Sequence, residues 1–157
     1  MAIRNIRELG EPCLRKICKP VKEVNLRTKI LIGDMFDTMY ESGGVGLAAP
    51  QIGVLKRIVV MDTDDNQHVL INPQILEVSG EQTGYEGCLS IPGKSGIVTR
   101  PDYVKVKALN ERGEEYILEG EGLLARCICH ELDHLDGHLY VEKVEGPLHD
   151  VTYEDAE

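Results

Sequence analysis

Two histidines four residues apart, with a glutamate beside the first, are the side chains of this sequence best spaced to do chemistry: His130-Glu131-Leu132-Asp133-His134. On a helix, residues i and i+4 share one face with Cβ atoms about 5–6 Å apart, so both imidazoles can reach one metal ion. Glu131 lies beside them, where its carboxylate can take a proton from water on that metal. The plainer account is a solvated charged helix that happens to carry two histidines. An apolar stripe weighs against it. Leu123, Cys127, His130 and His134 are spaced 4, 3 and 4 and line one side. That wall suits a pocket taking an apolar side chain beside a metal, although the stripe could also be simple core. Leu124, Ile128 and Leu135 lie further round and are expected to pack inside.

A catalytic metal usually has three protein ligands and one open position. His138, Asp133, Asp136 and a distant cysteine are the candidates for the third. His138 follows Gly137, where the helix is expected to end, and so points elsewhere. A histidine at Tyr140 would be needed for the extended H-E-x-x-H-x-x-G-x-x-H pattern, so that reading fails. Cys88, in Glu86-Gly87-Cys88-Leu89-Ser90, could offer a thiolate from a tight, extended backbone. A lone cysteine in an apolar stretch is more often a packed core thiol, and the residues alone leave both roles open.

The segment Gly44-Val45-Gly46-Leu47-Ala48-Ala49-Pro50-Gln51 invites a dinucleotide-binding reading. Its context contradicts that: a helix precedes it rather than a strand, and Pro50 interrupts the helix that should follow. No Gly-Lys-Ser/Thr follows either, which removes a P-loop. Small residues here suit close approach of a substrate backbone, and Gln51 could donate to a developing oxyanion.

The elements that must position these residues follow from patterning. Asn25 caps a helix to Glu41, with Leu26, Ile30, Leu31, Met35, Phe36 and Met39 recurring and Ser42-Gly43-Gly44 stopping it. A loop is expected from Gly44 to Gly53, then strands at Arg57–Asp62, Val69–Asn72 and Ile75–Ser79, split by Pro73. Tyr103–Asn110 alternates and turns through Glu111-Arg112-Gly113 into Glu115–Glu119, an antiparallel hairpin. A helix from Gly122 to about Asp136 ends at Gly137. After it the tail is polar, with Gly146-Pro147 expected to break regular structure. The class is α+β: antiparallel strands packed around a central helix of the C-terminal half that carries H-E-x-x-H. One domain spans residues 1–157, with a short acidic tail at about 146–157.

Seventeen Lys and Arg against 27 Asp and Glu give a formal charge of −10 and a pI near 5.0. That excludes broad binding of free nucleic acid or anionic membranes, which needs clustered positive charge. One Phe, six Tyr and no Trp leave no stacking platform for single strands. Five cysteines, Cys13, Cys18, Cys88, Cys127 and Cys129, are an odd set without repeated spacing, unlike a secreted disulfide framework. No signal peptide or membrane span is expected, so the cytoplasm is.

Taken together, Gly44–Gln51, Glu86–Ser90 and His130–His134, in this order and spacing, resemble the three signature motifs of peptide deformylases, over about Ile6 to Val144. The resemblance implies an enzyme that hydrolyses the formyl group from N-formylmethionine on newly made polypeptides. It implies one divalent metal ion on Cys88, His130 and His134, typically iron(II), with zinc, nickel or cobalt able to substitute. Metal-bound water would attack, Glu131 would act as general base and then acid, and Gln51 with the Leu89 backbone N–H would hold the oxyanion. Val45, Leu123 and Cys127 match the methionine pocket. Gly46, Glu86, Gly87 and Leu89 belong to the stretches that receive the peptide, the backbone of Gly46 and Gly87–Leu89 pairing with it as an added strand. An ion pair between Glu86 and Arg100 would stiffen the loop of Cys88.

Two features depart from the family pattern. Cys129 stands where glutamine usually precedes the first histidine; helix spacing turns it away from His130, towards packing. Some relatives dock on the ribosome by a long basic C-terminal helix; this sequence closes on Val151-Thr152-Tyr153-Glu154-Asp155-Ala156-Glu157, so that mode is not expected to carry over, and the acidic tail would be repelled by ribosomal RNA. The rivals are a zinc endopeptidase, which leaves Cys88 and the glycine segment unexplained, and a non-catalytic metal protein, which needs neither Glu131 nor Gln51.

Overall fold

A computed structural model of the chain describes residues 2–63 and 65–151. Among these residues two α-helices and eight strands carry the fold. Helix α1 (Leu26–Glu41) starts at Asn25, whose side chain accepts from the Thr28 backbone N–H while Thr28 returns a bond to the Asn25 N–H. Strands β1 (Gly46–Ala48), β2 (Ile58–Thr63), β3 (Asn66–Ser79), β6 (Tyr103–Leu109) and β7 (Glu115–Glu121) form a five-stranded antiparallel sheet in the order β1-β2-β3-β6-β7. Strands β4 (Gln82–Cys88), β5 (Ile91–Arg100) and β8 (Glu145–Asp150) form a second sheet in the order β4-β5-β8. Helix α2 (Gly122–Leu135) carries the H-E-x-x-H sequence.

The larger sheet is covered on both faces, which is why β2 reads Ile-Val-Val-Met without polar alternation. Ile58 and Val60 join Leu31, Ile32, Met35 and Met39 of α1 in one cluster. Val59 and Met61, one residue out of phase, join Ala125, Ile128, Leu132 and Leu135 of α2 in the other. Val104, Val106 and Ala108 complete the α2 side, matching the alternation of β6. A third cluster of Leu14, Ile91, Val98, Leu139 and Tyr140 packs beneath the smaller sheet, with Cys88 against it. Helix α2 therefore has apolar neighbours on several sides and little freedom to rotate.

The α+β class and the central helix agree with expectation; three local expectations change. The segment after Gly44 is not all loop: Gly46–Ala48 pairs with β2, then Ala49–Ile52 makes a 3₁₀ turn. Pro73 does not split two strands, because β3 runs through it on a bulge between Ile71 and Gln74, with Asn72 at φ 51°. Asn72 holds that bulge by bonding both the N–H and the carbonyl of Val21. Gly146-Pro147 does not end regular structure either, since β8 crosses it at the edge beside β5, where a proline is tolerated. Residues 152–157 of the acidic tail lie outside the described residues. No described helix is long and apolar enough to cross a membrane.

Candidate active site

Cys88, His130 and His134 converge. Their ligand atoms all lie within 4.8 Å of one another. The Nε2 atoms of His130 and His134 are 3.3 Å apart, and Cys88 Sγ is 3.3 Å from His134 Nε2. A tetrahedral ion with metal–nitrogen distances of about 2.0–2.1 Å spaces two such nitrogens by about 3.3 Å, so the imidazole pair already has the separation a metal requires. The other candidates are engaged elsewhere: Asp133 pairs with Arg100 and Lys143, Asp136 with Arg57, and His138 with Glu142. Cys88 supplies the third donor from the end of β4, where a register shift between Glu86 and Cys88 re-aims the side chain.

His130 is oriented by a carboxylate, whereas the buried Nδ1 of His134 has no hydrogen-bond partner among the described residues. Glu86 Oε1 lies 2.6 Å from His130 Nδ1. Burial by itself would raise the Glu86 carboxyl, but hydrogen bonds from His130 and Arg100 prevail and hold it down at about 2. The ionised carboxylate accepts a hydrogen bond from Nδ1–H and so turns Nε2 towards Cys88 and His134. The expected Glu86–Arg100 pair is present, at 2.6 Å and buried. Glu86 borders the cleft, and both its oxygens are occupied by Arg100, Arg126 and His130. Burial disfavours imidazolium at His130, but the charge of Glu131 and the hydrogen bonds with Cys88 and Glu86 outweigh it and push the ring up to about 10. A cation on Nε2 would compete with that proton.

Glu131 is buried, and its Oε1 has no hydrogen-bond partner among the described residues. Burial raises its carboxyl to about 7, against the pull of His130, which places it where a general base works near neutrality. Glu131 and Gln51 both face a cleft of about 710 Å³ that also reaches Gly44–Gly46 and Gly87–Leu89. Gln51 is locked: its Oε1 accepts the Ala48 N–H at 2.9 Å, and its Nε2 donates to Ser90 Oγ at 3.1 Å and faces Cys88 Sγ at 3.4 Å. The N-terminal segment fixes this corner, with Arg7 N–H donating to the Gln51 carbonyl and Leu9 N–H to that of Ser90.

A side pocket of about 150 Å³ opens beside the cleft among Val45, Tyr85, Leu123, Arg126, Cys127 and His130. Its back is crowded. A Cβ on Gly46 would stand 2.5 Å from Glu131 Oε2 and 2.8 Å from Cys127 Sγ, so only glycine fits there. Cys129 is buried in the α2 cluster, as its helix phase requires.

Sequence reading missed Ser90, Arg126 and Tyr140. Ser90 anchors Gln51, Arg126 reaches Glu86, and Tyr140 stacks on His130 with ring centroids 6.0 Å apart. Ser90 sits inside a quoted motif and was visible there. Nothing local marks the other two.

The family model described as polypeptide deformylase matches residues 3–148. A peptide deformylase of Agathobacter rectalis is 65% identical over all of this chain and 99% of its own length. One from Lachnoclostridium phytofermentans is 59% identical over all of this chain and 98% of its own. Among solved structures, a peptide deformylase from Thermotoga maritima matches with a TM-score of 0.91 and 41% identity over 93% of this chain and 100% of that one. Another, from Synechococcus elongatus in complex with actinonin, matches at 0.89 and 42%, covering 91% of this chain and 79% of that one. With its three motifs folded into one cleft, its whole length shared with two curated relatives and the family model matched over residues 3–148, this chain belongs to the peptide deformylase family, enzymes that remove N-formyl groups from nascent peptides.

Proposed function

We propose that Cys88, His130 and His134 hold one divalent metal ion, iron(II) by preference with zinc, nickel or cobalt able to substitute, and that the site hydrolyses the formyl group of N-formylmethionyl polypeptides in the cytoplasm. The observation that carries this reading is the convergence of one sulfur and two imidazole nitrogens, within 4.8 Å, in the cleft that Glu131 and Gln51 also face. Such a mixed sulfur and nitrogen set suits several borderline divalent metals. Bound there, the ion would acidify a water and polarise a carbonyl.

Glu131 takes the proton of the attacking water and hands it to the amine nitrogen that leaves. The formyl C–N bond breaks, the water oxygen stays on the formyl carbon, and formate and a free α-amine result. The Gln51 side-chain amide and the Leu89 backbone N–H stabilise the oxyanion: Ala48 N–H and Ser90 Oγ fix the amide, and the Nε2 hydrogen that faces Cys88 Sγ turns to the oxyanion. The methionine side chain enters the pocket among Val45, Leu123 and Cys127. The backbone of Gly46 and Gly87–Leu89 receives the peptide as an added strand. The actinonin complex of the Synechococcus elongatus relative supports a ligand site in this fold. We read residues 1–157 as one catalytic domain acting on nascent chains.

Glu131→Gln separates binding from chemistry. It should keep one metal ion per chain while formate release from formyl-Met-Ala-Ser falls by at least about a hundredfold. Cys88→Ala should lose both metal and activity. Undiminished formate release by Glu131→Gln would remove the proposed base.

A further inference from the structure

Glu86 is where helix α2 meets the smaller sheet, and its two oxygens take four donors. Oε2 accepts from Arg126 Nη1 at 2.7 Å and Arg100 Nε at 3.1 Å. Oε1 accepts from Arg100 Nη2 at 2.6 Å and faces His130 Nδ1 at 2.6 Å. Arg100 already satisfies both oxygens, so the second guanidinium calls for an account.

The two arginines are anchored differently. Arg100 also donates to Asp133 Oδ2 at 2.7 Å, and Asp133 is partly exposed and shared with Lys143 at 3.0 Å. One end of Arg100 is therefore tied to a group that solvent and a surface lysine can move. Arg126 has no such link. Its Nη2 donates to the Val98 carbonyl of β5 at 3.1 Å and the Gln82 carbonyl of β4 at 3.4 Å, both main-chain acceptors within the sheet. Arg126 precedes His130 by four residues on the same helix face. One helix thus supplies both the imidazole to be aimed and the guanidinium that fixes its acceptor.

We propose that Arg126 is a positioning residue for the metal centre: it pins the Glu86 carboxylate to the backbone of β4 and β5, so that the His130 ring keeps Nε2 turned towards Cys88 and His134. This inference rests on the reading that Cys88, His130 and His134 bind the metal. Partners of a ligating imidazole typically change metal affinity about 10–100-fold when removed. A packing role alone would alter stability without singling out the metal.

The test is metal affinity, measured by chelator competition with zinc on wild type, Arg126→Met, Arg126→Lys, Glu86→Gln and the Arg126→Met/Glu86→Gln double variant. Circular dichroism confirms that each is folded at the working temperature. Methionine keeps an apolar stem beside the side pocket. Affinity of Arg126→Met should drop at least about tenfold, Arg126→Lys should recover most of it, and the double variant should be no weaker than Glu86→Gln. Wild-type affinity in folded Arg126→Met, or additive losses in the double variant, would overturn the proposal. If Arg126→Met does not fold, Arg126→Gln takes its place with the same two outcomes. Wild type binding no zinc would instead sink the ligand assignment itself, which keeps the two failures distinct.

Discussion

Glu131 and Gly46 form a matched pair at the scale of single residues. The carboxylate is poised because it is buried, and it can stay buried at that point only because Gly46 has no Cβ. Gly46→Ala must displace Glu131 or Cys127, and we expect kcat/KM for formyl-Met-Ala-Ser to fall at least about tenfold with metal retained, a loss of roughly 1.4 kcal/mol of transition-state stabilisation. The thiols divide by burial. Desolvation raises Cys18 and Cys129 to about 11 and lifts Cys127 well above the ordinary thiol range. All three should stay unlabelled by iodoacetamide at pH 8 in the native protein, read by peptide mass spectrometry; labelling of Cys127 would show that the pocket wall opens. His130, Glu131 and His134 were legible in the sequence because their spacing is local, whereas Cys88, Val45 and Leu89 took their expected roles from the family resemblance, since only the fold brings them to the helix. Arg126 was not, because its acceptor lies 40 residues away and only the packing of α2 on β4 brings the two together.

At the scale of elements, legibility followed the strength of the local pattern. Helix α1 was readable from its cap and apolar stripe, and α2 from its stripe and Gly137. Strands β4, β5 and β8 were not, since their glycines, prolines and charges hide any alternation and their pairing is set by the partner strands. The bulge at Asn72-Pro73 was hidden for the same reason: it depends on Val21, far away in sequence. Gly137 ends α2 at φ 80°, and a Cβ there would stand 2.6 Å from the Arg15 carbonyl oxygen. Gly137→Ala should therefore cost about 2 kcal/mol, lowering Tm by roughly 4–8 °C. An unchanged Tm would mean that the turn after the metal-bearing helix can relax without loss.

At the scale of the whole molecule, Glu86 links α2 to both strands that flank it, and its ionisation couples folding to pH. Its carboxyl sits at about 2 in the folded protein against 4.5 for the ordinary side chain. A depressed carboxyl contributes stability that is complete above about pH 4.5 and is lost as pH falls towards 2, on the order of 3 kcal/mol if the full shift is realised. Metal-free wild type should therefore lose Tm more steeply than Glu86→Gln between pH 5 and 2.5, and the two curves should converge on acidification. Parallel curves would contradict the linkage.

The account as a whole turns on which bond the cleft breaks. Anaerobically purified, iron(II)-loaded protein offered formyl-Met-Ala-Ser and, separately, an unformylated peptide cleavable only at internal amides decides it. The account predicts stoichiometric formate and free methionyl peptide from the first, nothing from the second, and no formate from Glu131→Gln. Cleavage of the internal peptide, or neither reaction from fully loaded protein, would contradict it.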